Sequence, residues 1–236
     1  MREPSGYFEW SRDPAVGLFA VLPLWLFYEG LRLSLTPAER NGAEVLLLDT
    51  LGLLGPGATV LLRILFGATV LVAAVSIHRR RVPWTRVALV SALEGTVYGL
   101  LLGPLAGALA TSSAQLLSAD GRLVANLVGA LGAGIFEELV FRLFLLSLLA
   151  LLLNRAAAAF SLPKISGIVV AVIVSGLVFA LFHHLPPAQE PFALPAFLFR
   201  TMAGLLLGAL FVLRGFGVCV YTHVMYDVHY YLTNME

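Results

Sequence analysis

Apolar runs of about twenty residues follow one another along almost the whole chain, the length a helix needs to cross a bilayer core. They fall near 14–35, 51–77, 84–110, 123–153, 165–185, 195–213 and 217–233. Hydrophobic residues make up 59% and charged ones only 12%, with a mean hydropathy of +0.91. Soluble globular chains carry roughly 25% charged residues, so a soluble domain is excluded. The expectation is an all-α, polytopic transmembrane helical bundle of about seven spans, with eight also compatible, forming a single domain over 1–236. The first run starts at Pro14, carries Glu29 and Arg32 near its end and lacks a small-residue cleavage site. It reads as a span and not as a signal peptide.

Punctuation within the runs is uneven. The fourth is longer than a membrane is thick at about 1.5 Å per residue, so it should tilt, kink or protrude. Gly129 to Gly134 is the natural place for a break. Pro186 and Pro187 end the fifth run, and Gly215 and Gly217 make the last turn tight. Basic residues then set the orientation. With the N-terminus cytoplasmic, the inner segments hold Arg2, Arg12, Arg79, Arg80, Arg81, Arg86, Arg155, Lys164 and Arg214. The outer loops hold only Arg40 and Arg122. An odd number of spans places the C-terminus outside.

Against this background, Glu137 and Glu138 stand out, inside L-G-A-G-I-F-E-E-L-V-F-R-L-F-L-L with Arg142 close behind. A charge at the centre of a bilayer costs at least about 2.5 kcal/mol, so intramembrane ionisable groups point to function. The later spans add His183 and His184 in S-G-L-V-F-A-L-F-H-H, then His223 and Asp227 in T-H-V-M-Y-D. Consecutive helical residues diverge by about 100°, so Glu137 and Glu138 should not share one target. Residues four apart do share a face, which pairs Glu138 with Arg142, pairs His223 with Asp227, and leaves Glu137 facing the bundle interior. A carboxylate and two histidines from three helices suffice to activate water for hydrolysis. Glu137 can serve as general base, His183 can hold the same water or pass its proton on, and His223 can donate to an oxyanion. The competing reading is that these groups only bridge helices. One tension remains: the run boundaries put His183 near an outer end and His223 nearer an inner one. Either the fifth span extends beyond Pro186 or the seventh starts earlier.

These residues carry a resemblance. E-E-x-x-x-R, F-x-x-x-H and H-x-x-x-N/D, here Glu137, Glu138 and Arg142, then Phe179 and His183, then His223 and Asp227, resemble the CAAX-protease and bacteriocin-processing family. The match covers roughly 123–233. The family consists of intramembrane glutamic endopeptidases, including the endoprotease that trims prenylated CAAX proteins. The resemblance implies that Glu137 and His183 activate the water, that His223 and Asp227 form the oxyanion hole, and that Glu138, Arg142 and Phe179 support them. The family more often has asparagine at position 227. An ionised Asp227 would repel an oxyanion, so it acts as a neutral acid or by orienting His223.

Neither cofactor nor metal is expected. Zinc held by His183, His223 and a carboxylate is an alternative, although no H-E-x-x-H is present. A non-catalytic scaffold or immunity protein, and a transporter using Glu137 as a proton relay, are the others. The single cysteine, Cys219, excludes a disulfide and reads as a packed small residue. Expected partners are a membrane-associated or lipid-linked protein or peptide and the bilayer. Net charge of +1 gives no reason to expect nucleic acid. The Ala/Leu/Gly-rich composition suggests a bacterial inner (plasma) membrane, and the segment Y-E-G-L-R-L-S-L-T-P-A-E-R-N-G suits a subfamily linked to C-terminal sorting. His184 reads as a neighbour of the site, His229 as part of an aromatic belt and His78 as solvated. Glu94 with Tyr98, Arg63 and Arg200 read as helix-bridging ion pairs, with recognition of a substrate carboxylate as the sharper alternative. Gly99, Gly103, Gly107, Gly204 and Gly208 read as packing seams.

Overall fold

Each run of the sequence contains a long helix. The computed structural model describes residues 6–33, 41–53, 55, 57–110, 123–186 and 190–234, without the side chains of Thr59, Leu62, Arg63 and Lys164. The elements are α1 Tyr7–Trp10, α2 Pro14–Arg32, α3 Gly42–Gly52, α4 Ala58–Arg79, α5 Trp84–Ala110 and α6 Leu123–Gly132. A π-helix Ala133–Leu146 follows, then α7 Ser147–Ala159, α8 Lys164–Phe182, α9 Leu194–Arg214 and α10 Phe216–Thr233. No strand occurs among the described residues.

Helix starts follow local chemistry. The Asp13 carboxylate accepts from the Ala15 and Val16 N–H groups and Pro14 occupies the first turn of α2, both favoured where donors are otherwise orphaned. Asn41 caps α3 in the same way, accepting from Ala43 N–H. The span reading placed no helix between 35 and 51, so α3, which begins at Gly42, corrects it. The expected break at Gly129 to Gly134 is also absent. Helix is continuous from Leu123 to Ala159, and at Ala133 its turns widen into the π form instead of stopping.

Pro14–Arg32, Trp84–Ala110, Ile165–Phe182 and Leu194–Arg214 are each long and apolar enough to cross a membrane, while Ile64–Arg79 is a shorter apolar stretch. That is fewer than the seven spans expected. The shortfall at α10 has a physical reason. It is the central helix, packed on α5, the π-helix, α2, α6 and α9, and every residue from Phe216 to Val224 is buried. A helix clad in protein need not be as apolar as one facing lipid. The outer helices show the complementary pattern, with Leu61, Ile64 and Leu65 on α4, Leu93 and Val97 on α5, and Val169 and Ile173 on α8 all exposed. An exposed apolar surface of this extent marks membrane contact, and the chain is a membrane protein.

The bundle has two chemically different ends. At one, Arg80 pairs with Asp13 at 2.5 Å and the Arg214 guanidinium lies 4.3 Å from the Phe8 ring. Burial pushes the Asp13 carboxyl up, but hydrogen bonds from Arg80 and from the Val16 and Ala15 N–H groups outweigh it and hold it below the usual carboxylate range. Here α9 turns into α10 through Gly215, whose φ of 87° and whose place 2.4 Å (from an added Cβ) from the Ser11 carbonyl require glycine. The opposite end collects the C-termini of α2, α8 and α10 and the N-termini of α3 and α9. Arg12, Arg79 and Arg81 join Arg80 and Arg214 at the first end by chain proximity. Of the other basic residues used for orientation, Arg2, Arg40 and Arg122 and the Lys164 side chain lie outside the described residues, as do Pro187 and much of the segment after Leu33.

Candidate active site

The two adjacent glutamates sit in the π-helix, both buried. Its wider turn makes neighbouring side chains diverge less than on an α-helix. The expectation that Glu137 and Glu138 cannot share a target is therefore overturned. Glu138 Oε1 lies 2.6 Å from His223 Nδ1, and Glu137 Oε2 lies 3.9 Å from Nε2 of the same ring. The imidazole stands between two carboxylates.

Glu138 is fully committed to its neighbours. Besides His223, it faces Arg142 Nη1 at 3.0 Å, and its Oε2 accepts from the Cys219 thiol at 3.0 Å. The pairing of Glu138 with Arg142 read from the sequence is present, with both side chains wholly buried. Arg142 Nη2 reaches the Gly204 carbonyl at 3.5 Å, and the guanidinium stacks 4.3 Å from the centre of the Phe179 ring. Leaving either charge unpaired in such a place costs about 3–5 kcal/mol. Cys219 is thus more than a packed small residue, since its S–H fills the second oxygen of Glu138.

Glu137 keeps one oxygen open. Its Oε1 accepts from Asn41 Nδ2 at 2.9 Å, and because Asn41 Oδ1 accepts from Ala43 N–H, the amide can only present its NH₂ to the glutamate. Oε2 lies 3.9 Å from both His183 Nε2 and His223 Nε2, outside direct hydrogen-bond range. Asn41 was missed in the sequence. It sits about a hundred residues from the motifs, and only the fold of α3 against the π-helix brings it in.

The mismatch in depth between the histidines is closed by neither of the two expected adjustments. The α8 helix stops at Phe182, short of Pro186, and α10 begins at Phe216. Instead His183 caps α8 and its ring folds back, placing Nδ1 2.9 Å from the Phe179 carbonyl and Nε2 toward Glu137. A carbonyl only accepts, so Nδ1 carries the proton and Nε2 is free to accept. Phe179 spaces the group, with ring centres 5.0 Å from His183 and 6.2 Å from His223. On α10, His223 Nε2 and Asp227 Oδ2 are 3.7 Å apart, the shared face expected of residues four apart.

Glu137, His183, His223 and Asp227 line one cavity of about 300 Å³. Its rim includes Asn41, Gly42, Glu190 and Tyr231, at the end of the bundle away from the Asp13–Arg80 pair. His184 points elsewhere, with Nδ1 donating to the Glu190 carbonyl at 3.2 Å and its ring 5.1 Å from Phe192. His78 and His229 are exposed. Glu94 keeps the hydrogen bond with Tyr98, as read, and its ion-pair partner is Arg214, at 2.6 Å, together with the hydroxyl of Tyr7. Gly99 and Gly103 pack on α10, and Gly204 packs on Gly176 of α8. The Arg63 side chain lies outside the described residues.

No curated protein and no solved structure matches the chain. A protein-family comparison does find a match, over residues 119–229, which hold every one of the motif residues from Glu137 to Asp227. That segment is similar to the family described as type II CAAX prenyl endopeptidase Rce1-like, a family of peptidases.

Proposed function

We propose that the protein is an intramembrane glutamic endopeptidase, hydrolysing a peptide bond of a membrane-associated or lipid-linked polypeptide without a metal. Glu137 and His183 hold a water within reach of Glu137 Oε2 and His183 Nε2, off the 3.9 Å line between them. Glu137 takes the proton as the water oxygen attacks the carbonyl carbon, and later delivers it to the leaving amine as the C–N bond breaks. The oxyanion receives a hydrogen bond from His223 Nε2–H. Asp227 assists as a neutral acid or by holding His223.

The observation that carries this division of labour is the different partner of each Nδ1. His183 is bonded to a neutral carbonyl and His223 to the Glu138 carboxylate. The first pairing favours a neutral ring that accepts from water at Nε2. The second favours an imidazolium that donates to developing negative charge, with Arg142 holding Glu138 in turn. Equal distances to Glu137 do not separate the two histidines, but their supports do.

We further infer seven membrane crossings with the N-terminus cytoplasmic, in a bacterial plasma membrane. The gathering of Arg12, Arg80 and Arg214 at one end supports that orientation. The cavity rim is at the other end, so the site opens away from the cytoplasm.

The test is cleavage of a membrane-anchored peptide library by purified protein in liposomes, with new termini read by mass spectrometry. Activity is expected to be unchanged by 1,10-phenanthroline, and elemental analysis to find no stoichiometric zinc. Absence of any cleavage sinks the endopeptidase reading. About one zinc per chain, lost together with activity, moves the chemistry to a metal-bound water.

A further inference from the structure

A second hollow, of about 580 Å³, lies at the end of the bundle that carries the Asp13–Arg80 pair, away from the catalytic cavity. Phe19 on α2, Ile77 near the end of α4, Val82 in the connecting turn and Trp84 at the start of α5 form its apolar walls. His78 and Arg81 add the ionisable groups, and no carboxylate occurs among its described lining residues. The turn itself is closely specified. Val82 N–H donates to the Ile77 carbonyl and Arg81 N–H to the His78 carbonyl, both at 3.1 Å, the paired bonds that close a helix around a left-handed residue. Val82 and Ile77 are buried in one apolar cluster, while Arg81, at φ 50°, stays exposed. Glycine is the usual residue at this step, because it takes a positive φ without steric cost. What arginine adds there is a cation beside the hollow. Its neighbour Arg80 is committed to Asp13 and lies 5.4 Å from the Trp10 ring, whereas Arg81 has no ion pair among the described residues.

We propose that this hollow binds an anionic phospholipid, with the headgroup phosphate on Arg81 and His78 and an acyl chain along α4. The inference needs only that the chain is a membrane protein, and it is independent of the peptidase chemistry. The volume and the lining, apolar and aromatic with a few convergent polar groups, are those of a small-molecule site. The order of polarity along α4 favours a lipid over a soluble anion. Leu71 and Val75 share a face with His78 and are exposed on the outer surface of the bundle, and the cations follow where that apolar face ends. A phospholipid presents the same sequence, acyl chain and then phosphate. Trp84 is partly exposed at the same boundary, the level that indole rings favour in a bilayer. Basic pockets between membrane helices recognise lipid headgroups in this manner.

The test titrates phosphatidylglycerol or phosphatidylcholine into the full chain in dodecyl maltoside micelles, reading bound lipid by native mass spectrometry and stability by melting temperature. Wild-type protein is expected to retain one phosphatidylglycerol per chain and to melt higher with it, and to respond little to phosphatidylcholine. Arg81→Gly removes the cation while suiting the turn. Its melting temperature without lipid should equal or exceed that of wild type, and its affinity for phosphatidylglycerol should fall by about tenfold or more. His78→Gln, at an exposed helical position that either residue suits, should show a smaller loss and gives a second reading of the site. Arg79→Gln removes a neighbouring charge that does not line the hollow, and should bind like wild type. Equal responses to the two lipids overturn the proposal, as does full affinity in both Arg81→Gly and His78→Gln. A loss in Arg79→Gln as large as in Arg81→Gly would overturn it in favour of a diffuse basic surface. An equal rise in melting temperature from millimolar inorganic phosphate alone would overturn the lipid assignment and leave an anion site.

Discussion

Asp227 is the residue whose chemistry is least settled by its neighbours. It faces His223 Nε2 at 3.7 Å within the cavity, where a bare carboxylate would destabilise an oxyanion. Asparagine supplies an amide donor of nearly the same size with no proton to lose. Asp227→Asn is therefore expected to preserve or raise turnover and to extend it to higher pH, while Asp227→Ala should lower it by about a hundredfold or more. Rate–pH profiles of the folded variants check this, and a hundredfold loss in the Asn variant would mean that the negative charge itself is required. The motif residues were legible in the sequence because charges in apolar runs are conspicuous. The i to i+4 pairs Glu138–Arg142 and His223–Asp227 followed from helical geometry alone. What distinguishes His183 from His223 was not legible, because the Nδ1 partners are a carbonyl one turn back and a carboxylate on another helix.

At the scale of elements, the π-helix holds Glu137 and Glu138 at opposite edges of one imidazole. Its approach to α10 depends on Gly134, where an added Cβ would lie 2.3 Å from Val224 Cγ2 and 2.8 Å from Val224 N. One of those atoms is backbone, so the helices must part. Gly134→Ala should cost about 1–3 kcal/mol and lower turnover by moving Glu137 off His223. Gly30→Ala, on α2 with nothing within 4 Å, should be neutral or stabilising by up to about 1 kcal/mol. Melting curves and turnover of the two variants decide it; a Gly134→Ala protein that behaves like wild type contradicts this account of the seam. Hydropathy located most of the long helices to within about three residues, with 84–110 matching Trp84–Ala110, but the second run began ahead of α4 at Ala58 and the fourth ended short of Ala159. It did not reveal α3 or the π form. The first depends on the Asn41 cap beyond an apolar run, and the second packs on α10 through Gly134 and Val224, a contact between segments about ninety residues apart.

Across the whole molecule, a lipid-facing shell of apolar helices surrounds α10, and α10 with the π-helix and the end of α8 encloses a small polar cavity. The basic end and the cavity rim lie at opposite ends of the bundle, which ties the orientation of the chain to the side from which substrate arrives. Everything in the proposed chemistry converges on Glu137 Oε2, the one carboxylate oxygen aimed at both Nε2 atoms. Glu137→Gln keeps the shape, and its amide oxygen can still accept from Asn41 Nδ2, but it cannot take a proton from water. The decisive measurement is the cleavage rate of Glu137→Gln protein on the membrane-anchored peptide library, beside wild type of equal melting temperature. The account predicts a loss of at least about a hundredfold, the usual contribution of a general base. Turnover equal to wild type by the folded variant would contradict it.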